Sequence, residues 1–295
     1  MLFRSLMFVP AHNERFMNSA STSAADILLL DLEDSVQPVA NKQVARDSII
    51  HYIHEGKFQH KVLFPRVNDR ESGELLKDVT QLTIEGITGF MYPKACKGED
   101  IYFFGKLLET IEYEKGYPLN TFKVIPLIET AGAIVNINEI CEACPNRTVA
   151  IAFGCEDYVT SLQALHDDEG ISIFMARAAI VSAARAAGIE PIDTVHIRVH
   201  DLFDLEKNLI LSRKMGFEGM LVLNPKELPL VHQYYSPTNE EIAWAEEMIE
   251  LAENSVKSGK GVAVEGNKFI GPPMVKMAHK ILDKKKNINL NIDNQ

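Results

Sequence analysis

The run Leu6-Met7-Phe8-Val9-Pro10, closed by Ala11-His12-Asn13, decides between two folds. An almost uninterrupted apolar run of this length reads as a parallel strand covered on both faces. In a doubly wound open sheet the first such strand is normally followed by a glycine-rich phosphate loop. The turn here holds no glycine. Seven further runs of the same kind follow: Ile27–Asp31, Val62–Val67, Gly89–Pro93, Lys123–Glu129, Val149–Phe153, Pro191–Val195 and Gly219–Leu223. Helical patterns lie between them, among them Asn41–His54, Ser72–Ile84, Asp100–Glu114, Ala133–Ala143, Ser172–Ala187 and Leu202–Met215. Gly86, Gly188 and Gly216 close several of these and turn the chain toward the next strand. Eight strand–helix alternations over about 235 residues predict an α/β fold, a (β/α)8 TIM barrel, for which ~250 residues is typical.

Residues 1–236 are therefore expected to form the barrel, and 237–295 a C-terminal helical extension within the same structural unit. After the eighth strand comes a helix over Pro225–Tyr235, and the extension opens with Asn239–Lys257, which Pro237 and Thr238 introduce as a helix start. Then come a Gly259–Gly261 loop, a short Val262–Val264 run and a last helix over Pro272–Asp283, with a polar, fraying tail from Lys284. Lying outside the barrel count, this segment is expected to serve as a lid or an oligomer contact.

Composition narrows the function classes. Of 295 residues, 46% are hydrophobic and 24% charged, with 17 Gly and 13 Pro, which excludes collagen-like, disordered and disulfide-scaffold chains. A net charge of −11, with no basic block ahead of the tail, argues against nucleic acid as the main partner. Met1–Pro10 is too short for a signal sequence, since Asn13, Glu14 and Arg15 follow at once, and no apolar run approaches the ~20 residues of a membrane span. Four cysteines in a chain this long suit reduced thiols and a cytoplasmic location.

In such barrels the chemistry gathers at the C-terminal ends of the strands, and these ends are polar. They read Asp31-Leu32-Glu33-Asp34, Arg66-Val67-Asn68, Pro93-Lys94, Glu129-Thr130 and Gly154-Cys155-Glu156-Asp157. Glu129 and Asp157 are 28 residues apart, close to the ~30 residues of one βαβ unit, so they fall side by side on adjacent strand ends. Two converging carboxylates with positions left for water and substrate suit Mg²⁺, a hard cation seldom held in an all-protein cage. Each could equally do no more than cap the helix behind it. Arg66 offers a bidentate clamp for a substrate carboxylate, or a structural ion pair with Asp31, Glu33 or Asp34. Lys94 reads as an electrostatic helper or as a lysine balancing the acids.

Other groups read as structural. Cys141 and Cys144 have redox spacing but close a helix and have no second pair. The nine histidines show no ligand motif, His196 and His200 being split by a strand end. Asp167, Asp168 and Glu169 read as a solvated loop.

The strand ends, together with Arg4-Ser5-Leu6-Met7-Phe8-Val9-Pro10, Leu30-Asp31-Leu32-Glu33-Asp34-Ser35-Val36, Gly154-Cys155-Glu156-Asp157-Tyr158, Gly216-Phe217-Glu218-Gly219, Asn224-Pro225 and Ser236-Pro237-Thr238, resemble the HpcH/HpaI aldolase superfamily. That superfamily holds the citrate lyase beta subunit and the malyl-CoA and citramalyl-CoA lyases. The resemblance runs in order over almost the whole chain. It implies Mg²⁺ on Glu129 and Asp157, and a substrate carboxylate on Arg66. It also implies cleavage of a 3-hydroxyacyl thioester, carried by CoA or an acyl carrier protein, into an acetyl thioester and a 2-oxo acid. Amide N–H groups near Gly154–Glu156 would face developing negative charge, and Cys155, Glu156, Lys94 and Asn224 would join the substrate site. Phe8 and Arg15, after the first strand, are candidates for the CoA end. Assembly as a homotrimer or larger is implied as well.

One departure is visible. Relatives carry Lys-Met-Ile/Val-Asp before the last helix, and that Asp acts as general acid or base in a neighbouring subunit's site. Here the stretch is Lys268-Phe269-Ile270-Gly271, and glycine cannot transfer a proton. Glu265 or a metal-bound water is the substitute the sequence offers. Two other readings follow: a catalytically weakened metal- and oxo-acid-binding homologue, and an aldolase acting on free 2-oxo acids.

Overall fold

Alternate residues of the eight apolar runs point inward and make one core. Leu6, Ile27, Leu29, Phe64, Met91, Ile125, Leu127, Ala150, Ala152, Ile192 and Leu221 pack together, so every strand contributes, the period-2 layering of a barrel interior. The computed structural model describes residues 1–165, 167, 170–257, 263–265 and 268–293. In chain order the elements are β1 (Ser5–Pro10), α1 (Glu14–Ser21), β2 (Ile27–Asp31), α2 (Asn41–His54), β3 (Val62–Leu63), α3 (Leu75–Leu82), β4 (Gly89–Tyr92), α4 (Gly98–Lys115) and β5 (Lys123–Ile128). Next come α5 (Ala131–Val135), α6 (Ile137–Glu142), β6 (Ala150–Phe153), α7 (Cys155–Ser161), α8 (Ile171–Ala187), β7 (Glu190–Asp193), α9 (Leu202–Met215) and β8 (Gly219–Val222). The chain then continues through α10 (Leu228–Tyr235), α11 (Asn239–Lys257), the antiparallel pair β9 (Ala263–Glu265) and β10 (Lys268–Ile270), and α12 (Pro272–Asp293).

All pairings in the eight-stranded sheet are parallel, in the order β3-β2-β1-β8-β7-β6-β5-β4. The seam between β3 and β4 closes through single bonds. The Met91 N–H donates to Pro65 O at 2.9 Å and the Val67 N–H to Met91 O at 3.2 Å. Arg66 thereby bridges Asp31 on one side and Met91 on the other. The expected Val62–Val67 strand is cut to Val62–Leu63 because Pro65 has no N–H to give the ladder. Gly219 opens β8 where the Phe3 carbonyl oxygen occupies the place a β-carbon would need.

The chain divides into two compact units, Phe3–His232 and Met1–Leu2 with Gln233–Gln295. In the second, Ala245, Met248 and Ala278 are buried where α11 and α12 pack, with Trp244, Ile281 and Leu282 against them. No helix among the described residues is long and apolar enough to cross a membrane.

Two expectations are corrected. The single helix over Ala133–Ala143 is two, broken at Asn136, whose side-chain amide donates to Cys96 O at 2.9 Å. The polar tail from Lys284 continues α12 to Asp293, since propagating a docked helix is far cheaper than starting one. The helices α1 and α7, not singled out in the sequence, start at Asn13 and Gly154. Asp168, Glu169, Gly259–Gly261 and Val262 lie outside the described residues.

Candidate active site

Five strand ends supply the site. At the end of β2 the buried Asp31 carboxylate accepts N–H bonds from Glu33 (3.0 Å) and Ser35 (3.1 Å) and the Ser35 hydroxyl (2.5 Å). This folds Leu32-Glu33-Asp34 into a tight turn. Its main partner is Arg66: Nε donates to Oδ1 at 2.7 Å and Nη2 to Oδ2 at 2.8 Å. Burial alone would raise the Asp31 pKa, but the Arg66 charge and hydrogen bonds outweigh it and hold the carboxyl below its usual range. Arg66 Nη1 lies 3.2 Å from Glu33 and 3.4 Å from Asp34, and its guanidinium sits 4.7 Å over the Phe8 ring. The ion pair expected as an alternative to a substrate clamp is thus present.

Glu33 is buried between Arg66 and Lys94, whose Nζ is 2.8 Å from Oε1. Burial pushes its pKa up, with Arg66 and Lys94 opposing. Behind it the buried Lys42 ammonium donates to Leu32 O at 2.9 Å, Glu33 O at 3.1 Å and the Asn68 side-chain oxygen. Asn68 in turn donates twice to Asp78, at 2.8 and 2.7 Å, and Arg46 pairs with Asp78 at 2.6 Å. The turn therefore rests on a hydrogen-bonded network of Lys42, Asn68, Asp78 and Arg46, while the two buried Glu33 oxygens are faced by the Arg66 and Lys94 charges alone.

Glu129 closes β5 and is 2% exposed. Its Oε1 accepts the Lys94 backbone N–H at 2.6 Å, which Lys94 presents by adopting a left-handed φ of 53°. Burial and the negative charges of Glu33 and Asp157 push the Glu129 carboxyl up to about 8, despite the Lys94 N–H and Arg66. Asp157 lies in the first turn of α7, exposed. The Gly154 N–H donates to Ile128 O at 2.9 Å and the Cys155 N–H to Thr194 Oγ1 at 3.2 Å. These two amides, expected to face developing charge, are therefore committed within the fold.

A cavity of about 600 Å³ at this end of the barrel is lined by Arg66, Glu129, Asp157, Cys155, Glu156, Phe8, Arg15 and Asn224. Eight of the nine predicted residues thus share one space. The ninth, Lys94, is absent from the lining and acts on it through its N–H and its pairing with Glu33. Burial raises the Cys155 thiol to about 12, so it lines the cavity as a neutral group. Met7, Val9, Leu127, Val195 and Leu221 make much of the remaining wall apolar. Cys141 and Cys144 carry free thiols raised by burial, away from this space.

Among the described residues no group of three or more His, Cys, Asp or Glu side chains forms a complete metal cage. Glu129 and Asp157 nonetheless fit Mg²⁺, which keeps several waters and takes one or two protein carboxylates. A buried carboxyl destabilised by neighbouring carboxylates is what a divalent cation relieves. Sequence reasoning did not find the Lys94 N–H or the anchoring role of Lys42. A non-glycine residue in the left-handed region leaves no mark in composition.

The HpcH/HpaI aldolase/citrate lyase family matches residues 4–225. The citrate lyase subunit beta of Haemophilus influenzae is 30% identical over 285 residues, 97% of each chain. The human mitochondrial citramalyl-CoA lyase is 30% identical over 286 residues, 93% of this chain and 83% of that protein. The structure of the CitE protein of Mycobacterium tuberculosis in complex with magnesium, acetoacetate and coenzyme A superposes with a TM-score of 0.73 at 26% identity, covering 96% of this chain and 98% of that one. With three-quarters of its length matched in order and its polar strand ends converging on one cavity, this chain belongs to the HpcH/HpaI aldolase/citrate lyase family.

Proposed function

We propose that this chain is a Mg²⁺-dependent carbon–carbon lyase. Its substrate is a 3-hydroxyacyl thioester of the citryl, citramalyl or malyl type, on CoA or an acyl carrier protein, and its products are an acetyl thioester and a 2-oxo acid. The observation that carries this reading is the buried Glu129 carboxyl, raised to about 8, sharing one cavity with Asp157 and Arg66. The relatives named for citrate lyase and citramalyl-CoA lyase activity support it.

Glu129 and Asp157 would hold the ion. Bound there, Mg²⁺ supplies Lewis-acid polarisation of the substrate hydroxyl and its neighbouring carboxylate. Arg66 keeps one Nη2 hydrogen beyond its two bonds to Asp31, and this is the donor available to the substrate carboxylate. In the cleavage the hydroxyl loses its proton, the carbon–carbon electron pair passes to the thioester α-carbon, and that carbon gains a proton. Of the other carboxylates that line the cavity, Asp31 is held by Arg66, and Asp34 and Glu156 serve as acid–base candidates. The apolar side chains of Met7, Val9, Leu127, Val195 and Leu221 make the wall beside the departing enolate less polar than water. The helical segment after the barrel serves subunit contacts in a homotrimer or larger assembly.

The test is a steady-state assay of the purified protein with Mg²⁺ and citramalyl-, malyl- and citryl-CoA, following release of the 2-oxo acid. Metal-dependent turnover that disappears in Glu129→Ala and Asp157→Ala is expected, together with loss of Mg²⁺ binding in both folded variants. Turnover that survives both substitutions overturns the assignment.

A further inference from the structure

Beside the Val195, Asn224 and Pro225 lining of the same cavity, a histidine outside the lining stands between two carboxylates that the proposed reaction does not use. Glu227 is fully buried in the short 3₁₀ turn Pro225–Glu227 after β8. Its Oε2 accepts the Asn224 N–H at 3.5 Å, and the Asn224 side-chain oxygen accepts the Lys226 N–H at 3.1 Å. The other oxygen, Oε1, is buried with no hydrogen-bond partner, as is Nδ1 of the 5% exposed His196. The two atoms face each other at 3.8 Å. His196 Nε2 lies 3.1 Å from Asp204 Oδ2 in the first turn of α9. A neutral imidazole carries one N–H and can serve one of these carboxylates, whereas the imidazolium carries two and can serve both.

The cluster bears on the cavity through its neighbours. Val195, Asn224 and Pro225 line the wall, and the Asn224 side-chain amide donates to Val199 O at 3.2 Å, tying the loop before α9 to the end of β8. We propose that His196 is a positioning residue: as an imidazolium it clamps α9 to Glu227 and holds the Val195–Asn224–Pro225 wall in its binding form, and as the ring deprotonates the wall loosens. The proposal rests on the lyase reading for its kinetic consequence.

The surrounding charges agree. Burial lowers the His196 pKa, but Glu227 and Asp204 more than offset it, and the ring titrates above its usual value. From its own loop Arg198 faces Asp204 at 3.7 Å, half exposed. Asp201 accepts the Asp204 N–H at 3.0 Å, and Asn208 donates to Asp204 at 3.4 Å. From α8, Arg177 is paired with Asp193 on β7, its Nε 3.1 Å away.

The experiment compares the Mg²⁺-loaded parent with Glu227→Gln and His196→Leu, measuring kcat and KM for citramalyl-CoA between about pH 6 and 9, across the histidine range. In the parent, KM rises by about fivefold or more as pH increases, the lower end of ordinary coupling between sites, while kcat changes little. Glu227→Gln flattens the profile at the low KM, because a neutral amide can donate to a neutral His196 at every pH. His196→Leu shows the high KM throughout. A parent KM that is flat, or a slope that persists in Glu227→Gln, overturns the clamp. If no thioester is turned over, the lyase reading fails and the clamp is judged by NMR titration of the imidazole. A His196 pKa above 6.5 that falls in Glu227→Gln sustains it, and a parent value at or below 6.5 overturns it.

Discussion

Gly154 lies so close to Glu129 that a β-carbon on it would stand 2.8 Å from Glu129 Cβ and 2.9 Å from Oε2. The φ of Gly154, −100°, is open to any residue, so the requirement for glycine is space alone. Both residues sit on adjacent strand ends, and Glu129 is already pinned by the Lys94 N–H. Gly154→Ala therefore has to displace the carboxylate or the turn into α7. The expected outcome is a loss of roughly 1–3 kcal/mol of stability, typical of overpacking. Mg²⁺ affinity should fall by at least about tenfold, each 1.4 kcal/mol of misplacement being worth that factor. Calorimetric Mg²⁺ titration of the folded variant checks it.

Glu129→Gln gives the opposite sign for stability. A buried carboxyl whose folded pKa stands at about 8 rather than 4.5 binds its proton more tightly in the folded state. Its destabilising effect therefore begins above pH 4.5 and grows until the pH passes about 8. The amide removes that charge while keeping shape and the bond from Lys94. The metal-free variant should melt higher than the metal-free parent at pH 7, and it should show no stabilisation on adding Mg²⁺. A lower melting temperature would mean that the Glu129 charge is already compensated.

Arg66 carries two demands at once. Removing it leaves Asp31 and Glu33 buried without their main counter-charge. Breaking a buried pair from one side costs about 3–5 kcal/mol. Arg66→Ala should therefore lose stability of that order in urea unfolding as well as affinity for pyruvate or oxaloacetate. Arg66→Ala with unchanged stability would show that the Asp31 pair contributes nothing net.

What was legible in the sequence follows from where the physics is local. The bounds of α2 and α9, and the placement of Arg66, Glu129 and Asp157 at one rim, come from apolar runs ending in charge, a pattern within a few residues. The Lys94 N–H on Glu129 joins positions 35 residues apart through a left-handed backbone angle. The His196–Glu227 pair joins two loops that only the closed β7–β8 pairing brings together. Neither relation has a period or a motif, so neither could be read before the barrel existed. The break at Asn136 is of the same kind, set by its bond to Cys96 in another loop.

His232 gives a pH dependence away from the cavity. The Ser5 hydroxyl oxygen accepts the Asp26 N–H at 3.0 Å and lies 2.8 Å from His232 Nε2, a hydrogen bond that either atom can donate. Burial holds the His232 pKa below 6.5, with Asp26 opposing and Arg4 assisting. The folded pKa being depressed, this stabilisation is fully present above pH 6.5 and is lost as the pH falls through the lower, folded value. Unfolding free energy should decline below about pH 6 in the parent, and His232→Asn should remove that component of the decline. An identical acid limb in both proteins would rule His232 out as its source.

Gly271 precedes α12, and its carbonyl accepts the Met274 N–H at 3.0 Å, which makes it the helix N-cap. Asp is among the preferred residues at that position, so Gly271→Asp supplies the carboxylate of the family pattern without opposing the helix. If proton transfer limits the parent, kcat should rise by roughly a hundredfold, the lower range of a positioned acid–base group, with KM and Mg²⁺ affinity unchanged. The same substitution should flatten any rate increase that added buffer acids produce in the parent, because an internal donor replaces them. A kcat that does not move while the buffer effect is absent in both proteins would show that the barrel's own carboxylates already perform the transfer.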